Sequence, residues 1–247
     1  MDPAYENKRR RFEAGYWLFR ARRELIFAMI RRSGGGPRSK ILDAGCGGGL
    51  LIGFMRKHGF VNISGIDTSQ VMVELCRERG LMNVSRQDCT TTAFPGELFE
   101  IIIAADVLEH LKNDAAALRE WNRILKKNGR LIITVPAFDF LWSPHDEVCH
   151  HYRRYSRPDL VHSLSEANFS IEKTSFWNCA LFFPLTLIRI LQKMFSRNRS
   201  GPSDQLYGLN PFINYLLLQL LRGESRILRW IDLPVGISIL AIARKIN

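Results

Sequence analysis

The sequence lacks paired cysteines. Its five cysteines stand at positions 46, 76, 89, 149 and 179, and no two of them have C-x-x-C spacing. An odd number of widely spaced cysteines argues against a disulfide framework and against a zinc site of the usual type. We therefore expect no bound metal and a reducing, cytoplasmic environment.

Long hydrophobic runs are also missing. The segment Met1–Asn7 is polar and leads into Lys8–Arg11, without an apolar run of signal-peptide length. Two apolar stretches near the C-terminus, 176–188 and 209–221, stop short of the roughly 20 apolar residues that span a bilayer. Neither export nor a membrane-spanning helix is expected.

Acidic residues are scarce relative to basic ones. The chain has 24 Asp and Glu against 35 Lys and Arg, which gives a formal net charge of +11. Such a surface favours an anionic partner, which can be nucleic acid, an acidic membrane face or a phosphorylated substrate. Charge alone does not distinguish among these partners.

What the sequence does contain is a glycine-rich turn between two short apolar strands. The turn reads D-x-G-x-G-x-G from Asp43 to Gly49, and the second strand ends in Asp67. Glycines let the backbone turn sharply and approach a ligand closely. A dinucleotide-binding turn reads G-x-G-x-x-G, whereas the sixth position counted from Gly45 is Leu50. The pattern therefore indicates a βαβ unit that holds a nucleoside.

This turn resembles that of the class I S-adenosylmethionine-dependent methyltransferases. The resemblance implies S-adenosylmethionine as cofactor, with Asp67 on the ribose hydroxyls and Asp88 near the adenine amino group. Asp88 is alternatively a loop acid that caps the next turn. The segment D-V-L-E-H-L at 106–111 is similar to a family motif that lines the same pocket. The residues assigned to the cofactor in this way are Asp43, Gly45, Cys46, Gly47, Asp67, Thr68, Asp88, Cys89, Asp106, Val107 and His110.

Strand and helix patterns alternate five times between residues 40 and 135, which predicts a doubly wound α/β sheet. Within it, a helix is expected at 113–126 and a strand at 130–135. Two further strands are expected at 169–174 and 238–243. The resemblance implies a seven-stranded Rossmann-like sheet with the last strand antiparallel. The expected parts are an N-terminal helical cap (1–39), a cofactor-binding core (40–175), an apolar helical insertion (176–235) and the final core strand (236–247).

A long polar segment, 136–159, follows the fifth strand and holds three of the six histidines. Loops of this length inside a compact domain are usually functional. The segment resembles W-S-x-H-D followed by H-x-R-R-Y in a little-characterised branch of these methyltransferases, whose members associate with envelope glycan or lipid pathways. His150 stands where that branch has a small residue.

Methyl transfer to a hydroxyl needs a base, and histidine titrates near neutral pH. We predict His145 or His151 as this base, with Asp146 orienting it. Arg153 and Arg154 can form bidentate hydrogen bonds with a phosphate or carboxylate of the acceptor. The predicted acceptor-binding residues are Trp142, Arg153, Arg154 and Tyr155. Alternatively, the histidines and arginines only fasten the segment to the sheet. A metal site built from His145, Asp146, Cys149, His150 and His151 follows no known spacing and is not adopted.

Two apolar regions lie outside the core. Residues 5–32 read as one or two arginine-rich amphipathic helices, which either pack on the sheet and cap the pocket or rest on anionic lipid. The insertion at 176–222 is apolar with flanking arginines. It is interpreted as a peripheral membrane contact, an internal subdomain or a homodimer interface.

The sequence thus predicts a methyltransferase that acts on a small or lipid-linked acceptor, of glycan or isoprenoid type, at the inner face of a membrane. A nucleic-acid methyltransferase is an alternative, although no N-P-P-Y type motif and no recognisable RNA module is present. A non-catalytic cofactor-binding subunit is a second alternative. The glycine spacing disfavours a dehydrogenase.

Overall fold

One seven-stranded sheet organises the part of the chain that the structure, a computed structural model, describes: residues 10, 12–195 and 208–246. Its strands are β1 (Ile41–Ala44), β2 (Ile63–Asp67), β3 (Val84–Arg86), β4 (Phe99–Ala105), β5 (Leu125–Pro136), β6 (Phe169–Trp177) and β7 (Ser238–Lys245). They lie in the order β3-β2-β1-β4-β5-β7-β6. The predicted doubly wound sheet is confirmed.

The first five strands are parallel, and β7 runs antiparallel between β5 and β6. In the centre of the β5–β7 ladder, Ile132 lies opposite Ile242. β6 pairs with β7 as far as Trp177 opposite Ser238, beyond the expected strand end at Thr174. Because β1 to β5 are parallel, their carboxyl ends meet at one edge, where sheets of this kind bind ligands.

Helices pack on both faces of the sheet. They are α1 (Trp17–Arg32), α2 (Leu50–Lys57), α3 (Gln70–Glu78), α4 (Asp114–Ile124), α5 (Pro144–Val148), α6 (Arg157–Glu166), α7 (Phe182–Phe195) and α8 (Pro211–Ile227). Polar side chains cap the helix starts. Ser69 Oγ accepts from Met72 N at 3.3 Å at the start of α3. Asn113 Oδ1 accepts from Ala116 N at 3.0 Å at the start of α4. Each cap satisfies an amide that the helix leaves unpaired.

Two apolar cores cover the two faces. Ile102 and Ile103 are neighbours in β4 and point to opposite faces, and both are fully buried. Ile102 packs in the same cluster as Trp121 of α4, whereas Ile103 packs in the cluster that contains Leu25 of α1. The N-terminal helix therefore packs on the sheet, as the first of its two interpretations expects.

The boundary between α4 and β5 differs from the prediction. The helix ends at Ile124 rather than at Lys126. Leu98 N donates to the Ile124 carbonyl at 2.8 Å, and buried Leu125 then pairs with Phe99. Burial of Leu125 and these strand hydrogen bonds outweigh the local helix signal, since tertiary packing overrides propensity.

Helix α8 joins the insertion to the N-terminal helix. Arg222 forms a two-pronged ion pair with Glu24 of α1, at 2.6 and 2.7 Å. The buried carboxylate of Glu224 accepts from the amides of Cys179 and Ala180, at 3.0 and 3.1 Å. These contacts fix the start of α7 against α8 and hold both helices next to α1.

Candidate active site

The glycine-rich turn forms one side of a small cavity at the carboxyl edge of the sheet. Gly45 has a φ of 70°, and a Cβ built on it would lie 2.6 Å from Val107 Cγ2. Such a contact is not tolerated, so only glycine fits here. Gly47 N donates to Asp67 Oδ2 at 2.8 Å. This bond ties the turn to the acid at the end of β2.

Two acids lie side by side in this region. The Asp67 carboxylate, whose Oδ2 accepts from the turn, also accepts from Ser69 N, through Oδ1 at 2.9 Å. Asp43, at the end of β1, is almost fully buried. Burial, and then the negative charge of Asp67, raise the pKa of Asp43 to about 7. Two of the acids assigned to the cofactor are therefore brought together, and the pKa of Asp43 lies near neutral pH.

The residues after β3 lie farther along the same edge. Asp88 Oδ1 accepts from Thr90 N and Thr90 Oγ1, both at 2.7 Å. This is the turn cap that the sequence offered as the alternative to an adenine contact, and contact between Asp88 and adenine stays a prediction. Cys89 is buried, which raises the pKa of its thiol to about 12. Thr68 is exposed.

Asp106 ends β4 in an uncommon backbone conformation, with a φ of 53°. Its Oδ1 accepts from Thr134 Oγ1 at 2.7 Å, and its Oδ2 accepts from the guanidinium of Arg22. Arg22 comes from α1 and is one of eight arginines in the segment 5–32, for which the sequence predicted no individual roles. No local signal separates it from its neighbours.

Two cavities meet at Arg22, which lines both of them. The smaller, about 80 Å³, lies between the glycine turn and α1, and its walls include Asp43, Gly45 and Cys46. This region fits S-adenosylmethionine, because the glycine-rich turn lines it and the two acids Asp43 and Asp67 lie at the strand ends beside the turn. Asp43, Gly45, Gly47 and Asp67 are the residues that would hold the cofactor.

The larger cavity, about 380 Å³, is lined by both apolar and polar side chains. Its apolar lining includes Leu181, Pro184, Leu185 and Ile188, from α7 and the residues before it. Its polar lining includes Glu109, His110, His145, Asp146, His151, Arg154 and Arg189. The structure therefore brings the three predicted catalytic residues together in one cavity with His110.

Asp146 is the centre of the polar segment. It is fully buried and accepts from His151 Nδ1 at 2.9 Å. Arg154 donates to both of its oxygens at 2.9 Å. Burial opposes ionisation of Asp146, but the hydrogen bonds from His151 and Arg154 outweigh it and hold its pKa well below the usual range. An ionised Asp146 fixes the orientation of the His151 ring.

The other predicted base has a different environment. Burial lowers the pKa of His145 to about 4, so this ring is neutral at pH 7 and a weak base. Cys149 Sγ lies 3.6 Å from His145 Nε2. Of the two candidate bases, His151 has the better-defined partner, and its catalytic role stays a prediction.

The predicted acceptor-binding residues make contacts within the protein. Arg153 Nη1 and Tyr155 Oη both donate to Asp114 Oδ2 at 2.8 Å, at the start of α4. Burial, and then Asp114, raise the pKa of Tyr155. Trp142 is half-buried and is not among the residues that line the larger cavity. These contacts match the alternative in which the segment is fastened to the sheet, and acceptor binding by these residues stays a prediction.

His150 is exposed and has a φ of 56°. This left-handed conformation favours glycine, so a small residue would fit here with less strain than histidine.

Sequence reasoning did not single out Glu109 or Asn178. Both side chains are buried and line the larger cavity. Within the described part of the chain, neither carboxyl oxygen of Glu109 has a hydrogen-bond partner. Asn178 Oδ1 has none either. Burial, and then the charge of Asp106, raise the pKa of Glu109 well above its usual value. Glu109 lies within the motif at 106–111, but no feature of that motif indicates that its side chain is buried.

The sheet order and the glycine-rich turn at the carboxyl edge of the sheet define an α/β fold of the nucleoside-binding type. Comparison with known proteins identifies the class of protein more closely. A methyltransferase domain model matches residues 42–133. The ubiquinone biosynthesis O-methyltransferase of Histophilus somni is 27% identical over 162 residues, which cover 56% of this chain and 67% of that protein. The phosphoethanolamine N-methyltransferase of Triticum aestivum is 31% identical over 113 residues, covering 44% of this chain and only 22% of that protein.

Among solved structures, a putative sarcosine dimethylglycine methyltransferase from Galdieria sulphuraria has the same fold. It superposes with a TM-score of 0.60 at 16% identity, over 90% of this chain and 84% of that one. Residues 42–133 therefore form a methyltransferase domain of the class I S-adenosylmethionine-dependent type, and S-adenosylmethionine is its cofactor.

Proposed function

We propose that the chain methylates a hydroxyl group of an amphipathic, lipid-linked acceptor that binds in the larger cavity. The observation that carries this proposal is the position of that cavity. It meets the cofactor region at Arg22 and is lined by both apolar and polar side chains. An acceptor with an apolar tail and a polar head matches such a lining.

The polar lining of the cavity includes groups that can accept the proton of the acceptor hydroxyl. When bound, S-adenosylmethionine supplies an electrophilic methyl group on a sulfonium sulfur. Asp146 holds Nδ1 of His151, which leaves Nε2 to accept the proton of the acceptor hydroxyl. Asn178 Oδ1 is a buried acceptor that can orient a hydroxyl. Helices α1 and α7 cover the cavity and limit access of water.

The names of the relatives do not choose the acceptor atom, because one denotes an O-methyltransferase and the other an N-methyltransferase. A hydroxyl is favoured here because it must lose its proton as the new bond forms, and the cavity wall offers imidazole and carboxylate groups.

Helix α7 offers a route from the surface to the cavity. Pro184, Leu185 and Ile188 line the cavity, whereas Phe183 and Leu187 are exposed. The helix is therefore apolar on an inner and on an outer side. An isoprenoid or glycan-linked lipid can follow this surface into the cavity, so the proposed acceptor is of that type.

We propose that the exposed sides of α7 and α8 rest on an anionic membrane surface. Exposed apolar side chains on the two helices include Phe183 (67% exposed), Leu187, Phe212 and Leu216. Beyond α8, Trp230 is 88% exposed and follows exposed Arg229. Aromatic and arginine side chains together suit a lipid headgroup region, and the net charge of +11 adds attraction. No helix within the described ranges is long and apolar enough to cross a bilayer.

Two measurements test the proposal. Calorimetric titration with S-adenosylhomocysteine and, in parallel, with NADH should show binding of the first alone. Transfer of radiolabelled methyl groups from S-adenosylmethionine should then label material in a lipid extract and not nucleic acid. Label in nucleic acid would support the alternative function, and cofactor binding without any transfer would support a non-catalytic subunit.

A matched pair of histidine variants tests the proposed base. His151→Ala should keep cofactor affinity and lower the transfer rate by about 10²-fold or more, as expected for loss of a general base. His162→Ala changes an exposed histidine of α6 and should leave both unchanged. Full activity of the His151 variant would remove His151 from the mechanism.

A further inference from the structure

The turn that follows β4 and the polar segment bring three potential metal ligands together. Glu109 and His110 belong to the short 3₁₀ turn Leu108–His110, and His151 belongs to the polar segment. One carboxylate oxygen and two imidazole nitrogens lie within 4.8 Å of one another. Tyr152 N donates to the Glu109 carbonyl at 2.8 Å and so holds the two segments in register.

Glu109 provides a second and independent observation. Its side chain is 0% exposed, and neither carboxylate oxygen has a hydrogen-bond partner in the described part of the chain. Buried polar groups are almost always satisfied, because leaving one without a partner is costly. A cation beside both oxygens would satisfy them.

His151 is held as metal-ligating histidines usually are. Its Nδ1 bonds to Asp146 Oδ1 at 2.9 Å, which leaves Nε2 as the ligand atom. Asp146 is in turn fixed by Arg154 and by Ser143, whose amide and hydroxyl both donate to it at 2.9 Å. Asp146 is thus already paired, whereas neither carboxyl oxygen of Glu109 has a hydrogen-bond partner in the described part of the chain.

We propose that Glu109, His110 and His151 bind a divalent transition-metal ion in the larger cavity. Two imidazoles and one carboxylate suit Zn²⁺ or a similar ion better than Mg²⁺, which prefers oxygen ligands. Ligand atoms around one Zn²⁺ lie about 3 to 3.5 Å apart, since the bonds are about 2.1 Å long, so small side-chain rotations complete the site.

This inference goes beyond the proposed methyl transfer and does not depend on it. It differs from the sequence-based expectation that no metal is bound. Of the residues considered there for a metal site, it includes only His151. The site lies in the wall of the cavity assigned to the acceptor, so an ion there would face the acceptor. Such an ion would occupy His151 Nε2 and would take the place of His151 as the base, since a bound metal ion lowers the pKa of a coordinated hydroxyl.

The test measures binding of metal alone to the untagged, full-length protein. Co²⁺ is titrated by its visible absorption and Zn²⁺ by calorimetry. One ion per chain is expected. Glu109→Gln keeps the size and shape of the side chain but replaces one carboxyl oxygen by an amide nitrogen, and His151→Gln removes a ligand from the other segment. Each should weaken binding at least tenfold, and circular dichroism verifies that each variant is folded.

Two controls address the other histidines and cysteines. His162→Gln changes an exposed histidine, and Cys149→Ser changes the thiol next to His145; both should bind metal as the unchanged protein does. No binding to the unchanged protein, or unchanged binding to both ligand variants, would overturn the proposal. Loss of binding in Cys149→Ser would also overturn it, since it would place the metal at His145 and Cys149.

Discussion

The guanidinium group of Arg22, on α1, donates a hydrogen bond to the carboxylate of Asp106, at the end of β4. Asp106 also accepts from Thr134 and adopts a positive φ. One ion pair therefore links the helix that covers the site to the strand end that forms it. Because Arg22 lines both cavities, this link also lies at the boundary between the cofactor and the proposed acceptor.

Replacing Arg22 by Ala should weaken both the fold and the site. The pair is partly buried, so its loss should lower the free energy of unfolding by about 1 to 2 kcal/mol. Cofactor affinity should also fall, since α1 forms one wall of the smaller cavity. Urea denaturation and calorimetry measure the two effects. Arg77→Ala, at an exposed position of α3, is the control and should change neither. Equal stability and affinity in the two variants would show that the ion pair has no such role.

Asp67→Ala should sharply weaken binding of S-adenosylhomocysteine. A charge-assisted hydrogen bond contributes about 1.5 to 3 kcal/mol, which corresponds to a loss of roughly 10- to 150-fold. Calorimetric titration measures it. Asp67 also accepts hydrogen bonds from Gly47 N and Ser69 N, so Asp67→Asn should lose less affinity for S-adenosylhomocysteine than Asp67→Ala. Unchanged affinity in both variants would remove Asp67 from the cofactor site.

Asp43 should make stability depend on pH. Burial raises its pKa from 3.8 to about 7, so its neutral form is the one that the fold prefers. Its contribution is fully present below about pH 4 and is lost as the pH rises through about 7. Asp43→Asn keeps a neutral side chain, so it should gain stability relative to the unchanged protein between about pH 5 and pH 8.

The gain from Asp43→Asn should be at most about 4 kcal/mol, since each pKa unit corresponds to 1.36 kcal/mol. Urea denaturation at several pH values measures it. Glu166→Gln removes an exposed acid of α6 and should show no such trend. Parallel stability curves for Asp43→Asn and the unchanged protein would contradict the assignment of a raised pKa.

Exposed apolar residues of the insertion should control membrane binding. Replacing Phe183, Leu187 and Phe212 together by Ser should abolish co-sedimentation with anionic liposomes and leave thermal stability unchanged, because these side chains are exposed. Val61→Ser with Met82→Ser changes exposed apolar residues elsewhere and should bind as before. Point substitutions are preferable to deletion, because Arg222 and Glu224 join α8 to the rest of the fold. Dimer dissociation without a change in liposome binding would identify the surface as a homodimer interface.

Much of this protein could be predicted because its signals are local. The D-x-G-x-G-x-G turn and Asp67 lie within one βαβ unit, so their proximity follows from chain connectivity. The sheet class follows from the alternation of strands and helices, and the antiparallel final strand came with the family resemblance. The cluster of Asp146, His151 and Arg154 was also within reach, since these residues lie close together in one segment.

Contacts between distant segments were decided by the tertiary structure alone. Arg22 and Asp106 are 84 residues apart, and sequence pattern gives no reason to choose this arginine among its neighbours. The burial of Glu109, and its approach to His151, depend on how the polar segment docks on the turn after β4. Local sequence fixes where the chain turns and which faces are apolar. Which polar groups lose contact with water, and which charges they then meet, is settled only when the elements pack together.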